Sequence, residues 1–229
     1  MPTKSHAGQL EDQDQAEVRF AVACVDVGSV ARGNFGWAMI DHELSHGDHP
    51  QLLVDAIVAR LDAGVSVALG MEAPLFVPVP TSALHLGRGR QGEGSRPWSA
   101  GAGCGALATG VVQTAWIARA IREAVQRQPT LAFDLDQFPG PGPTLLIWEA
   151  LVSGTGKLVT PVATMTGTSA HVIDAVLGAE AMHAIIAGQS APSPIDAGPS
   201  PLSLAAAAFA WAGWEVQHFL SEPCVVART

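Results

Sequence analysis

Apolar positions along the chain fall into runs that end in single charged residues. Phe20-Ala21-Val22-Ala23-Cys24-Val25 is continuous, β-prone and closed by Asp26 and Gly28, the pattern of a strand buried on both faces. An acid at the carboxyl end of such a strand faces the crevice where open α/β sheets bind ligands. Gly33-Asn34 separates this run from Phe35-Gly36-Trp37-Ala38-Met39-Ile40, which predicts an antiparallel hairpin with a glycine-containing turn. No third strand is legible in the polar stretch Asp41-His42-Glu43-Leu44-Ser45-His46. Leu53, Ile57 and Leu61 then stand four apart, the stripe of an amphipathic helix closed by Gly64. That crossover would lay 65–71 parallel to the first strand, so that Asp26 and Glu72 end neighbouring strands at the same edge.

Past Glu72, Pro74, Pro78 and Pro80 rule out a continued central strand. The glycine-rich stretch from Gly87 to Gly110 reads as an unusually long loop, and it holds Arg88, Arg90 and Arg96 beside Trp98. Guanidinium forks match phosphate oxygens and an indole stacks on a base, so these four residues are candidates for substrate binding. A solvated flexible loop is the alternative. From Leu107 to Gln128 the pattern is helical, with Val111, Val112, Ala115, Trp116, Ala118 and Ile121 expected inward. Residues 144–149 read as another strand ending in an acid, Glu149, either a fourth candidate ligand or an exposed strand-end carboxylate. Thr168 or Ser169 can cap a helix that carries His171, Asp174 and Gly178 on one face. The small Gly178 would let that face approach the sheet and bring Asp174 toward a shared ion, while the helix dipole explains the same acid without any ion. Residues 189–201 read as a Pro/Ser/Gly surface linker, followed by an Ala-rich helix and a short strand at Cys224-Val225-Val226-Ala227.

Composition narrows the classes. A chain of 229 residues, 48% hydrophobic and 14% charged, suits one α/β domain over 18–229 behind a polar tail, 1–17. A net charge of −9 counts against a general polyanion binder, so contact with nucleic acid needs a local basic patch or bound cations. Cys24, Cys104 and Cys224 have neither metal-ligand spacing nor a disulfide framework, which suggests a reducing, cytoplasmic compartment. Leu202 to Trp214 is apolar but falls short of the ~20 residues of a membrane span, so no membrane is expected.

Val25-Asp26-Val27-Gly28, Glu72 after a buried strand, and His171-Val172-Ile173-Asp174-Ala175 together resemble the RNase H-like superfamily. The likeness runs from Phe20 to Ala187, nearest to predicted nucleases of unknown function and more distantly to Holliday-junction resolvases. It implies a mixed sheet with an antiparallel first hairpin, parallel later strands and helices on both faces. It also implies divalent metal held by Asp26, Glu72 and Asp174, with Glu149 in the place of a further family acid. Independently of the family, hard Mg²⁺ or Mn²⁺ prefers oxygen ligands and takes few carboxylates from a protein, the rest coming from water and substrate phosphate. A pair of such ions would support phosphodiester hydrolysis of a nucleic acid or nucleotide, with His171 orienting Asp174 or the attacking water. Three rivals stand beside this reading. Phe133-Asp134-Leu135-Asp136 resembles the aspartate pair of a phosphotransferring hydrolase, nucleotide-binding proteins share the same core, and a non-catalytic interaction module can retain the fold.

Overall fold

The structure, a computed structural model, describes residues 20–94, 97–151 and 167–228. The expected polar tail and Arg96 lie outside the described residues. Among those described, seven strands form one sheet: β1 (Phe20–Asp26), β2 (Gly36–Ile40), β3 (Leu44–Gly47), β4 (Ser66–Met71), β6 (Thr130–Ala132), β7 (Thr144–Leu151) and β9 (Val225–Arg228). The order across the sheet is β3-β2-β1-β4-β7, and the outer edge of β7 is shared by β6 along 144–146 and β9 along 148–151. The first three strands are antiparallel and every later pairing is parallel. Helices cover both faces, an α/β arrangement of the RNase H-like type.

Pleat parity sorts the side chains. Val25, Met39, Leu69 and Ile147 meet α1 (Pro50–Asp62), α2 (Gly101–Ala124) and α4 (Leu204–Trp211) in the larger core. The alternate residues Val22, Cys24, Ala68 and Trp148 meet α3 (Ala170–Ile186) on the other face. In α1 the stripe Leu53, Ile57 and Leu61 is buried as its spacing requires. β5 (Phe76–Pro78) and β8 (Pro201–Ser203) form a separate two-stranded ribbon. Its three-residue strand ends at the proline that cannot donate to a ladder.

Four expectations need correction. The polar stretch after Ile40 does hold the third strand: β3 pairs with β2 at the sheet edge, where one partner suffices and polar side chains remain in water. The glycine-rich loop is shorter than expected because α2 starts at Gly101. Two of its glycines serve close packing: a Cβ at Gly110 would stand 2.3 Å from that of Ala73, and one at Gly103 would meet the Pro97 carbonyl. α2 is also turned from the expected orientation. Gly110, Thr114, Ile117, Ala118 and Ile121 are inward, while Val112 and Trp116 are exposed. Finally, 189–201 is pinned to the domain, since Gln91 and Asp196 exchange backbone hydrogen bonds and Ser193 donates to the Val226 carbonyl.

α2 is the one described helix long and apolar enough to cross a bilayer by length and composition. Its C-terminal half sits in the core, where Trp214 donates its indole N–H to the Ala118 carbonyl.

Candidate functional site

The register of β1 and β4 places the first two acids side by side. Val25 pairs with Met71, and Glu72 N–H donates to the Val25 carbonyl at 2.7 Å, so Asp26 and Glu72 leave the sheet together. Both take the α3 side of the pleat, because Met71 and Val25 face the larger core. The third acid arrives on α3, capped by Ser169 through a hydrogen bond from Val172 N–H. Two glycines bring that helix close. A Cβ on Gly36 would stand 2.4 Å from the backbone carbon of His171, and one on Gly178 would stand 2.4 Å from Cys24 Sγ. Gly36 is the register partner of Asp26, so the first turn of α3 lies directly beside that carboxylate.

The resulting contacts are short. His171 Nδ1 and Asp26 Oδ2 are 2.6 Å apart, with the Asp26 side chain 12% exposed and the imidazole 36%. Burial raises the Asp26 carboxyl above its ordinary range; hydrogen bonding and charge from His171 pull it down, the Asp174 charge pushes it up, and a hydrogen bond with Glu72 lowers it. Asp26, Glu72, Asp174 and His171 therefore form one interacting cluster. Cys24 lies beneath it on the same face of β1, its thiol pushed well up by burial and by the charges of Glu72 and Asp26. Gln113 of α2 donates to the Gly28 carbonyl, tying the turn after Asp26 to the far helix layer.

Glu149 does not join this cluster. It is the register partner of Met71, which puts its side chain on the opposite face of the sheet, where it is 1% exposed. Arg90 Nη1 and Nη2 donate to its two oxygens at 2.7 Å each, and Leu75 N–H donates at 2.9 Å. Burial pushes this carboxyl up, while a guanidinium that does not lose its proton in proteins supplies the compensating charge. Glu149 is thus engaged in an internal ion pair that leaves it unavailable as a metal ligand.

The same geometry removes Arg90 from the phosphate clamp. Its side chain is fully buried, it also donates to Glu93 through Nε and Nη2, and it stacks over the Phe76 ring. Glu93, which sequence reasoning missed, further accepts from Trp98 N–H at 2.8 Å. The i,i+3 spacing of Arg90 and Glu93 was the one available signal. Trp98 gives its indole N–H to the Arg88 carbonyl, so the ring is anchored within the loop. Arg88 remains exposed. In the rival aspartate pair, Asp134 accepts from the backbone N–H of Asp136 as a helical cap.

The donor set of the cluster is chemically suited to a hard cation: three carboxylates on adjoining elements, two of them sharing a hydrogen bond, with no thiol among them exposed. Among the described residues no three His, Cys, Asp or Glu side chains already stand in ligand geometry. No family model matches the chain, and no curated protein or solved structure is similar enough to count as a match.

Proposed function

We propose that this chain is a divalent-metal-dependent phosphodiester hydrolase, a nuclease acting on nucleic acid or nucleotide in the cytoplasm. The observation that carries the proposal is the convergence of Asp26, Glu72 and Asp174 at the carboxyl ends of β1 and β4 and the first turns of α3. Asp26, Glu72 and Asp174 would hold Mg²⁺ or Mn²⁺. Bound there, the metal would supply Lewis-acid stabilisation of phosphate charge and an activated water. His171 would hold the Asp26 carboxylate in place through Nδ1. Asp26 is held within β1, and Glu72 follows β4 with its N–H on the Val25 carbonyl.

The test compares thermal melts in chelator with melts in millimolar Mg²⁺ or Mn²⁺, alongside cleavage of labelled single-stranded and duplex oligonucleotides. The parent should melt higher with metal, because a ligand that prefers the folded state stabilises it. Asp26→Asn combined with Asp174→Asn should abolish both the rise and any cleavage. A parent whose melting is indifferent to metal would sink the nuclease reading and leave a non-catalytic or nucleotide-binding protein on the same fold.

A further inference from the structure

A second group of acids lies behind the first. Glu72, Glu93 and Glu149 line one pocket of about 130 Å³, closed on its other side by Ala102, Gly103 and Ala106 of α2. A cation drawn to this end of the sheet therefore meets three glutamates, and only Glu72 belongs to the cluster with Asp26. Arg90 pairs with the other two. It donates to both Glu93 and Glu149 with its side chain fully buried, so the two glutamates behind Glu72 are already satisfied by a fixed cation.

The same residues hold the backbone that follows Glu72. Leu75 N–H is bound by Glu149 Oε2, and the Phe76 carbonyl accepts from Arg90 Nη1 at 3.3 Å. Two residues separate Glu72 from Leu75, and both, Ala73 and Pro74, are buried. The turn that aims Glu72 is thereby fastened at its far end to β7. A buried ion pair is a poor source of stability compared with apolar packing of the same volume, and its best-attested use is to fix geometry.

We infer that Arg90 and Glu149 are positioning residues for the metal site: their ion pair fixes the 73–76 turn, and so the aim of Glu72, and keeps Glu149 and Glu93 from competing for the cation. The inference rests on the metal-dependent reading for its second half and, for its first, on the hydrogen bonds of Arg90 and Glu149 to the backbone at Leu75 and Phe76.

The experiment uses the full chain in three forms: parent, Arg90→Lys, and the charge-free combination Arg90→Met, Glu93→Gln, Glu149→Met. The combination removes all three buried charges together and so avoids the unpaired charge that a single change would leave. Arg90→Lys keeps the charge but cannot bridge two carboxylates as a planar fork does. Hydrogen exchange in chelator reads the turn, and Mn²⁺ titration reads the site. Amides of Glu72 and Leu75 should exchange at least tenfold faster in the charge-free variant, with an intermediate effect for Arg90→Lys, while amides of β1 keep parental rates. Mn²⁺ affinity should fall at least tenfold in the charge-free variant. Unchanged exchange at Glu72 and Leu75 in a folded variant overturns the positioning role, whatever the metal does. Altered exchange with parental Mn²⁺ affinity overturns the link to the site. A parent that binds no Mn²⁺ overturns the metal reading and this link with it, and leaves the exchange result to decide the geometry.

Discussion

Gly36→Ala is the smallest perturbation that reaches the site without touching any of its side chains. One methyl group at this position would stand 2.4 Å from the carbonyl carbon of His171 and 2.5 Å from Val172 N, where ordinary contact begins at 3.4 Å. The obstacle is helix backbone, which cannot rotate aside as a side chain can, so the first turn of α3 must retreat by about 1 Å or tilt. Overpacking of this kind costs about 1–3 kcal/mol. In a chain of this size each kcal/mol lowers Tm by about 2–4 °C, which places the loss at roughly 2–12 °C. The functional consequence is larger than the stability loss. The 2.6 Å contact between His171 and Asp26 lengthens beyond hydrogen-bond range with a displacement of that size, and Asp174 moves with its helix away from the other two acids. Thermal melts with and without Mn²⁺ read both effects together. The expected result is a lower Tm in chelator and a metal-induced rise that shrinks or vanishes. If Gly36→Ala melts within a degree of the parent and keeps the full metal response, α3 does not lie against β2 as described and the argument for convergence fails.

Three further outcomes follow from the burial or exposure of individual groups. Arg88→Ala should change stability by no more than about 0.5 kcal/mol and, if the exposed guanidinium contacts a phosphate, lower the salt slope of oligonucleotide binding by about one unit. Arg90→Ala should destabilise by about 3–5 kcal/mol, because it leaves Glu149 and Glu93 buried without their cation, and denaturant melts of the two variants separate these roles. Asp26 binds its proton more tightly in the folded chain than in the unfolded one, so its contribution to stability is complete in acid below about pH 3.9 and is lost as pH rises through the higher folded value. In chelator the Tm of Asp26→Asn should therefore gain on the parent across that window and level off above it, and a constant difference from acid to neutral pH would refute the assignment.

The parts of the fold that could be read from residues are those where one local pattern decides the outcome. A buried strand closed by Asp26, an amphipathic stripe in α1 and a capped helix holding His171 and Asp174 each announce themselves within a dozen residues. The convergence of Asp26 and Glu72 also followed, because a right-handed crossover makes their strands neighbours. What escaped was set by partners distant in sequence. Nothing near Glu149 tells that Arg90, 59 residues away, will take both of its oxygens. Alternation alone could have warned that Glu149 and Glu72 take opposite faces once their strands are in register, but the register is itself tertiary. β3 was invisible because an edge strand with polar side chains has no hydrophobic alternation to display. The start of α2 was missed since glycine, poor in isolated helices, is there admitted by the need for close contact with Ala73 and Pro97.

The divided outer edge of β7 has a consequence for the order in which the chain can assemble. Residues 144–146 find their partner in β6, which precedes them, whereas 148–151 wait for β9, made some 75 residues later. Until that last strand emerges, the segment around Trp148 and Glu149 presents unpaired peptide groups, an invitation to register errors and to pairing with other chains. Arg228 at the end of β9 donates to the Gly92 carbonyl, so the strand that closes the edge also clasps the loop holding Arg90 and Glu93. Synthesis from the N-terminus thus delivers the catalytic candidates early and the clasp behind them last, and a nascent chain halted before β9 would carry Asp26, Glu72 and Asp174 on a sheet whose flank is still open.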